Sequence, residues 1–247
     1  MNTASIRLYQ ELNRFVILPR GQREVTKTFI GNPGVKDLIE SLGVPHTEVD
    51  LILVNGESVG FDYQVQDGDR IAVYPVFESL DVGPVSRVRT APLRDSRFIL
   101  DVHLGKLARL LRMLGFDTLY DNGWDDPEIV ERARAEGRII LTRDGGILKR
   151  REVTHGYLVR SDEPAEQAAE VLRRFDLSGR VAPFRRCMAC NGIIEPVPRE
   201  EVVDELLPGT REAFSEFFRC RNCGRIYWKG SHYEEMLEKV ERLLEKS

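Results

Sequence analysis

Residues 97–144 read RFILDVHLGKLARLLRMLGFDTLYDNGWDDPEIVERARAEGRIILTRD, and this stretch decides the fold. Short apolar runs, typical of buried strands, alternate in it with helical segments that each end at a glycine. Further along, Tyr157–Val159 predicts a fourth strand, and the segment from Pro164 to Phe175 predicts another helix. Repeated strand–helix units imply a parallel sheet with helices on both faces. We therefore predict an α/β domain with a parallel sheet over residues 97–178.

An aspartate follows closely after each of the four predicted strands, and these residues are Asp101, Asp121, Asp144 and Asp162. In an open parallel sheet, ligands bind beyond the carboxyl ends of the strands, so these acids would point toward a common site that Asp126 could join. Carboxylates that face one another repel unless a cation lies between them, and Mg²⁺ and Mn²⁺ prefer oxygen ligands. A metal held in this way activates water and neutralises the charge on a phosphodiester, which indicates a nuclease.

Most of these aspartates also have a purely structural interpretation. Asp126 lies directly before Pro127, and Asp162 lies two residues before Pro164, orders typical of a helix start. We favour helix capping for Asp162, while both interpretations stay open for Asp126. Asp144 precedes two glycines and suits a turn, as does Asp121 before Asn-Gly, so Asp121 is left out of the candidate site. Asp101 is the hardest to explain as a cap, because the helix predicted after it begins three residues further on.

The four cysteines fall in two Cys-x-x-Cys pairs, Cys187 with Cys190 and Cys220 with Cys223. In a chain without a secretory signal, such pairs indicate a metal site before they indicate disulfides. Each pair can form a zinc knuckle, a tight turn that presents two cysteine sulfurs to one metal ion. Two knuckles supply four thiolates, the complete tetrahedral ligand set of a structural Zn²⁺. A redox dithiol, the alternative, needs only one pair and usually lies at the start of a helix after a strand. We predict a zinc ribbon with a closing helix over residues 179–247.

Two segments of this C-terminal region carry further predictions. Between the knuckles, Glu200–Leu206 predicts a short helix. After the second knuckle, residues 225–233 interleave Tyr227 and Trp228 with Arg, Lys and His. Such a segment could stack on unpaired bases and contact phosphate through Lys229, or it could only pack the ribbon against the preceding domain, and we favour packing.

The N-terminal residues have the element order of a β-grasp domain, which is an α+β fold. A helix is predicted from Val35 with Gly43 as its stop, and Asn55-Gly56 is a strong hairpin signal. The predicted strands are Ile6–Leu8, Phe15–Leu18, Glu24–Phe29, Leu51–Val54 and Arg70–Val76. We place this domain at residues 1–77 and a linker at residues 78–96, where Gly, Pro, Ser and Arg follow one another without periodicity.

Leu53–Gly56 and Val65–Ile71 resemble the ubiquitin-like sulfur carriers of thiamine and molybdopterin synthesis. Those carriers act through a free C-terminal Gly-Gly, whereas here Pro75-Val76-Phe77 follows and the chain continues. We therefore expect no carrier chemistry. The domain is expected to dock a partner protein or to pack within the chain.

Several stretches of the chain together resemble the Mut-seven C-terminal RNase family: Phe98–Asp101, Leu104–Arg112, Leu114–Thr118, Asp126–Ile129, Ile140–Asp144 and the paired cysteines. That family has a PIN-like nuclease fold with a zinc ribbon, and some members carry a ubiquitin-like domain in front. The resemblance implies Mg²⁺ or Mn²⁺ on Asp101, Asp126 and Asp144, with Asp162 as a possible fourth acid. It also implies phosphate contacts at Lys106 and Arg109, one helical turn apart, and we add Arg143 and Lys229 as further substrate contacts.

Composition is compatible with this hypothesis but does not favour it. The 247 residues carry a net charge of −4, which is not the mark of a nucleic-acid binder, and the basic cluster Lys106, Arg109 and Arg112 is best explained alone as a solvated helix face. No apolar run reaches the roughly 18 residues of a membrane helix. Met1–Leu18 lacks the pattern of a secretory signal, so a cytoplasmic location is predicted.

The leading hypothesis is a Mg²⁺- or Mn²⁺-dependent ribonuclease with a structural Zn²⁺. The alternative is a non-catalytic RNA-binding or adaptor protein that uses the zinc ribbon and the aromatic and basic segment after it. The sequence does not distinguish RNA from DNA as the substrate, or endonucleolytic from exonucleolytic cleavage.

Overall fold

A computed structural model describes residues 1–16, 24–75, 85–88 and 96–247. The chain divides into two compact units. The first comprises Met1–Asp95 together with Val130–Leu158, and the second comprises Ser96–Ile129 together with Val159–Ser247. Most of the predicted linker, 78–96, lies outside the described residues, and the predicted domain boundaries stay predictions.

The N-terminal part of the first unit contains a mixed five-stranded sheet with the strand order β2-β1-β5-β3-β4. Its strands are Asn2–Leu8 (β1), Val25–Phe29 (β2), Val49–Val54 (β3), Glu57–Val59 (β4) and Arg70–Pro75 (β5), with one helix, Val35–Glu40 (α1). β1 and β5 pair in parallel, and the other neighbours are antiparallel. The inner face and the helix share one apolar core that includes Ile6, Ile39 and Ile52. This is the predicted β-grasp architecture.

The hairpin between β3 and β4 forms where the sequence predicts it. Asn55 and Gly56 have φ of +53° and +94°, the two left-handed residues that a tight hairpin turn requires. The predicted strand Phe15–Leu18 is wrong over its described residues, because Gln10–Phe15 forms a 3₁₀ turn and Val16 lies outside any strand. Leu12 is fully buried in the core, and the turn is what directs its side chain inward.

The α/β region contains four short strands in the order β7-β6-β8-β9. They are Phe98–Leu100 (β6), Thr118–Leu119 (β7), Ile139–Thr142 (β8) and Gly156–Leu158 (β9). The helices are Gly105–Met113 (α2), Asp126–Glu136 (α3), Gly145–Leu148 (α4) and Pro164–Arg174 (α5). β6 pairs in parallel with β7, and β8 with β9, so the predicted parallel α/β domain is confirmed. The short helix α4 was not predicted, because its two leading glycines indicate a turn.

Within the first unit, the β-grasp sheet and the strand β9 are joined through a buried polar contact. The 3₁₀ turn His46–Glu48 packs against β9. The Glu48 carboxylate, fully buried, accepts a hydrogen bond of 2.9 Å from the Leu158 backbone N–H. His46, also buried, lies 2.7 Å from the Val153 carbonyl oxygen through its Nε2. The β-grasp region therefore packs within the chain, one of the two roles expected for it.

The C-terminal region has a three-stranded antiparallel sheet in the order β10-β11-β12. The strands are Ile194–Val197 (β10), Phe217–Cys220 (β11) and Ile226–Trp228 (β12), and the helices are Pro208–Ala213 (α6) and Ser231–Glu245 (α7). The helix predicted at Glu200–Leu206 is wrong in type, because this segment forms two 3₁₀ turns. Val202 and Leu206 pack on Phe217 there, and the two 3₁₀ turns are sufficient to bury these side chains in a small core. None of the helices in the described part of the chain combines the length and apolar content that a membrane crossing requires.

Candidate functional site

The four cysteine sulfurs form a compact cluster in the second unit. All four Sγ atoms lie within 4.8 Å of one another. The Cys187 and Cys223 sulfurs are 3.7 Å apart, and those of Cys190 and Cys220 are 3.4 Å apart. A tetrahedral Zn²⁺ with Zn–S bonds of about 2.3 Å requires sulfurs about 3.8 Å apart. The donor type, number and spacing therefore fit a structural zinc ion.

The two knuckles are built by the same local geometry. The residue after the second cysteine of each pair takes a left-handed conformation, Asn191 with φ +68° and Gly224 with φ +71°. The N–H of that residue donates to the carbonyl of the first cysteine, 2.8 Å in one knuckle and 3.0 Å in the other. In the first knuckle this residue is Asn191 and not a glycine. Gly192 is needed for space, because a Cβ there would lie 2.7 Å from the Cys220 sulfur.

Tyr227 contacts the Cys187 sulfur and was not identified from the sequence as part of this site. Its hydroxyl lies 2.9 Å from the Cys187 sulfur. Burial acts to raise the pKa of Cys187, but hydrogen bonds from Tyr227 and from the backbone N–H groups of Cys190 and Ala189 outweigh it and lower the pKa to about 6. Burial raises the pKa of Cys190 to about 12. These hydrogen bonds favour the thiolate form of Cys187, which is the form that binds metal.

The buried side chain of Arg112, a residue of α2, forms hydrogen bonds with the first cysteine knuckle. Its side chain is only 4% exposed, so the interpretation of this residue as part of a solvated basic face is wrong. The guanidinium donates to the Thr118 carbonyl at 2.8 Å and to the carbonyls of Ala189 and Met188 at 3.0 and 3.3 Å. Burial lowers the pKa of Arg112. These fixed acceptors compensate the buried charge and tie the cysteine loop to α2 and β7.

Asn191 connects the same knuckle to the strand β7. Its side-chain oxygen accepts from the Thr118 N–H at 2.9 Å, and its Nδ2 donates to Asp117 at 2.8 Å. Arg186 donates to the other oxygen of the Asp117 carboxylate at 3.2 Å. Asn191 therefore both shapes the knuckle and docks it. An Asn after a Cys-x-x-Cys pair was the available sequence signal, but its partners lie more than 70 residues away.

The strand-end aspartates Asp101 and Asp144 share one local arrangement. Asp101 directly follows β6, is 5% exposed, and accepts a hydrogen bond of 2.8 Å from the His103 N–H. Asp144, exposed, lies just beyond β8 and accepts one of 2.7 Å from the Gly146 N–H. Both residues are helix N-caps, Asp101 of a 3₁₀ turn and Asp144 of α4. Asp101, the acid hardest to explain as a cap from the sequence, does cap, because a 3₁₀ turn precedes α2.

The other two candidate acids lie at helix starts but do not occupy the capping positions. Asp125, not Asp126, caps α3, since its carboxylate accepts from the Glu128 N–H at 3.0 Å. Asp126 is the first residue of the helix. At α5 the N-cap position belongs to Glu163, so the capping interpretation of the exposed Asp162 is wrong.

Asp101, Asp126 and Asp162 belong to the second unit, and Asp144 belongs to the first. Within residues 1–16, 24–75, 85–88 and 96–247, the cysteine cluster is the one group of three or more His, Cys, Asp or Glu side chains close enough to hold a metal together. The site formed by Asp101, Asp126 and Asp144 stays a prediction.

The four candidate substrate contacts are exposed cations. Lys106 and Arg109 lie one turn apart on α2, and neither makes an ion pair with a residue that the structure describes. Arg143 directly precedes Asp144. Lys229 pairs with Glu216 at 2.9 Å, and its ammonium group lies 5.8 Å from the centre of the Phe218 ring.

Comparison with known proteins identifies matches for both parts of the chain. Residues 96–240 match the family model described as the Mut7-C RNAse domain, and residues 1–81 match that described as Mut7-C ubiquitin. The chain is 26% identical over 249 residues to the human protein named exonuclease mut-7 homolog. This similarity covers 69% of the chain but 28% of the human protein. A crystal structure of SAMP1 from Haloferax volcanii matches 32% of this chain and 100% of its own, with 19% identity and a TM-score of 0.26.

Proposed function

Because the chain belongs to the Mut7-C RNAse domain family, we propose that it is a metal-dependent ribonuclease that hydrolyses RNA phosphodiester bonds. In this proposal Asp101, Asp126 and Asp144 hold Mg²⁺ or Mn²⁺, with Asp162 as a further acid. The family match supports a nuclease-type function. The metal, the residues that bind it and a PIN-like fold for residues 97–178 are the parts that we add.

The family match carries the proposal, and the shared geometry of Asp101 and Asp144 is consistent with it. Each lies just past the carboxyl end of a strand, and each is oriented by a backbone N–H two residues further on, from His103 and Gly146. Such a hydrogen bond leaves a carboxylate acceptor capacity for a metal ion. Ligands of open parallel sheets bind beyond this edge, which is where the proposal puts the reaction.

The donor set suits a hard divalent cation. Carboxylate oxygens are the ligands that Mg²⁺ and Mn²⁺ prefer, and Mg²⁺ is commonly held by one or two carboxylates with water completing its shell. When bound, such an ion supplies an activated water and neutralises charge on the phosphodiester. Asp101 is also largely shielded from bulk water, since it is 5% exposed.

The exposed cations supply the complementary contacts to the RNA backbone. Lys106 and Arg109 follow Asp101 in the chain and project from neighbouring turns of α2, so they can hold successive phosphates. Arg143 is adjacent to Asp144 and serves the same purpose there. We assign no proton transfer to these side chains, whose task is to position the strand.

Cleavage of labelled single-stranded RNA by the purified full chain, with Mn²⁺ or Mg²⁺ added, tests this proposal. Asp101→Asn and Asp144→Asn should each reduce the cleavage rate at least about 100-fold, since loss of a metal ligand removes several kcal/mol of charge stabilisation. Asparagine keeps the acceptor oxygen of each turn, so the fold should survive.

Asp121→Asn is the matched control. Asp121 accepts a turn hydrogen bond of 2.8 Å from the Gly123 N–H, as the candidate ligands do from their own turns, but it is not assigned to the metal. Its variant should cleave at the normal rate. Unchanged cleavage by both Asp101→Asn and Asp144→Asn would refute the metal site, and metal-independent retention of RNA without cleavage would indicate an adaptor.

A further inference from the structure

A cleft of about 260 Å³ lies between the zinc ribbon and α7, entirely within the second unit. Most of its surface is apolar, and its larger apolar side chains are Phe184, Met188, Tyr227, Trp228, Tyr233 and Met236. Its charged lining residues are all cations: Arg185, Arg186 and Lys229. No aspartate or glutamate lines the cleft in the part of the chain that the structure describes, although the chain as a whole is acidic.

The aromatic rings of the cleft are not stacked closely on one another. The Phe184 and Tyr233 rings have centres 4.8 Å apart and are tilted by 46°. Trp228 is tilted by 41° against Phe214, with ring centres 6.4 Å apart, and it remains 39% exposed. Trp228 is thus an exposed tryptophan beside a cleft, and such a ring is a surface on which a planar base can stack.

Phe184 is held in a conformation that its side chain disfavours. Its φ is +61°, in the left-handed region, where bulky residues are uncommon. The backbone is fixed there by a hydrogen bond of 2.9 Å from the Phe184 N–H to the Met113 carbonyl. Strained residues of this kind concentrate at ligand sites, and here the strain places a ring at the cleft instead of in a core.

The charges at the cleft suit an anion. Arg185 is exposed and makes no ion pair with any residue in the described ranges. Arg186 is kept in place by Asp117. Lys229 pairs with the exposed Glu216, and a pair of this kind contributes little and exchanges readily for a phosphate. Three cations oppose the binding of an ammonium ligand among the aromatic rings, whereas they favour a ligand that combines a flat ring with a phosphate.

We propose that this cleft binds an unpaired base of a single-stranded RNA, with the base against Trp228 and Tyr233 and a neighbouring phosphate at Arg185. The site would bind the same RNA strand that the proposed metal site cleaves, so the inference rests on the proposed ribonuclease function. It gives the aromatic and basic segment after the second knuckle a binding function in addition to packing.

Tryptophan fluorescence of the full, zinc-loaded chain tests the cleft directly. The chain has two tryptophans, so Trp124→Phe leaves Trp228 as the reporter. A decauridylate RNA, added without Mg²⁺ or Mn²⁺, should quench this signal, and a strand of equal length without bases should not. Omitting the divalent metal makes the readout independent of cleavage, so failure of the cleft and failure of the nuclease proposal give different results.

Variants measured by anisotropy of labelled decauridylate locate the contact. Trp228→Leu should weaken binding about tenfold, the loss typical of one stacked base. Arg185→Ala should weaken it several-fold and reduce the salt dependence. Since the Arg185 side chain is exposed, this variant tests the cleft even if Trp228→Leu fails to fold. Arg242→Ala, an exposed cation of α7 outside the cleft, is the matched control and should bind normally.

Three results would overturn the inference. If the strand without bases bound as tightly as decauridylate, the cleft would recognise only phosphate. Uridine monophosphate that quenches at the same concentration as the decamer would make it a site for free nucleotides. RNA could also bind without quenching the fluorescence and with an affinity that neither variant changes. That result would place the RNA outside the cleft and would indicate a protein segment as the ligand of the cleft.

Discussion

At the scale of single residues, one position combines two separate demands. Gly115 ends α2 with φ +97°, a conformation that residues with a Cβ rarely adopt. A Cβ at this position would also lie 2.1 Å from the Ala182 carbonyl oxygen. The close approach exists because the chain leading to the zinc ribbon runs against the end of α2, where the Ala182 N–H donates to the Leu114 carbonyl.

Gly115→Ala should therefore lower the free energy of unfolding by about 3 kcal/mol, since backbone strain and a clash with main-chain atoms add together. Urea denaturation followed by circular dichroism measures the change. Gly179→Ala is the control, because no positive φ and no atom within 4 Å oppose a Cβ there. If both variants had the same free energy of unfolding, the backbone at Ala182 would move away from the new Cβ without loss of stability.

At the scale of secondary-structure elements, the contact between the β-grasp region and β9 depends on a buried carboxylate. Glu48 ends a 3₁₀ turn, and its oxygen accepts from the backbone N–H of Leu158, the last residue of β9. Removal of such an acceptor leaves the donor unsatisfied in a region without water. The β-grasp region is thus attached by specific polar pairing.

Glu48→Ala should destabilise the protein by about 1–3 kcal/mol, the desolvation cost of the N–H that it leaves unpaired. Hydrogen exchange at the Leu158 amide should accelerate in the same variant. Glu57→Ala, at an exposed residue of β4, should leave both measurements unchanged. Normal exchange at Leu158 in Glu48→Ala would mean that this hydrogen bond does not hold the contact.

At the scale of the whole molecule, the cysteine cluster brings together parts of the second unit that are distant in sequence. The cysteine pairs span 37 residues, from Cys187 to Cys223, and the first knuckle is fastened to α2 and β7 through Arg112 and Asn191. A zinc ion bound by the four sulfurs would therefore stabilise more than the ribbon sheet. It would also fix the carbonyls that accept from the Arg112 guanidinium.

Removal of zinc with a strong chelator should lower the Tm of the protein by more than 10 °C, because the binding free energy of a structural zinc contributes directly to folding. Calorimetry with metal quantification in the same samples measures this. Cys190→Ser should behave like the chelated protein, whereas Asp101→Asn should melt normally. An unchanged Tm after chelation would show that the ribbon is stable without metal.

Much of the architecture was predictable because its causes are local. Alternation of apolar runs with helical segments predicted the parallel α/β region, and Asn55-Gly56 predicted the hairpin of the β-grasp sheet. The pairing of the cysteines predicted their cluster, since two Cys-x-x-Cys units have few other stable uses in one chain. Capping was less predictable, as adjacent Asp125 and Asp126 have the same chemistry and only the backbone path selects Asp125.

The order of strands and helices and the clustering of the four cysteines could be read from the chain alone, because they depend on periodicity and spacing, and the family resemblance followed from its motifs. Only the tertiary structure decided which polar residues are buried and what they contact. Arg112 lies inside because the carbonyls of a knuckle more than 70 residues away compensate its charge, and Trp228 borders a cleft because α7 returns beside the ribbon. Contacts of this kind depend on distant parts of the chain, so no local pattern reveals them.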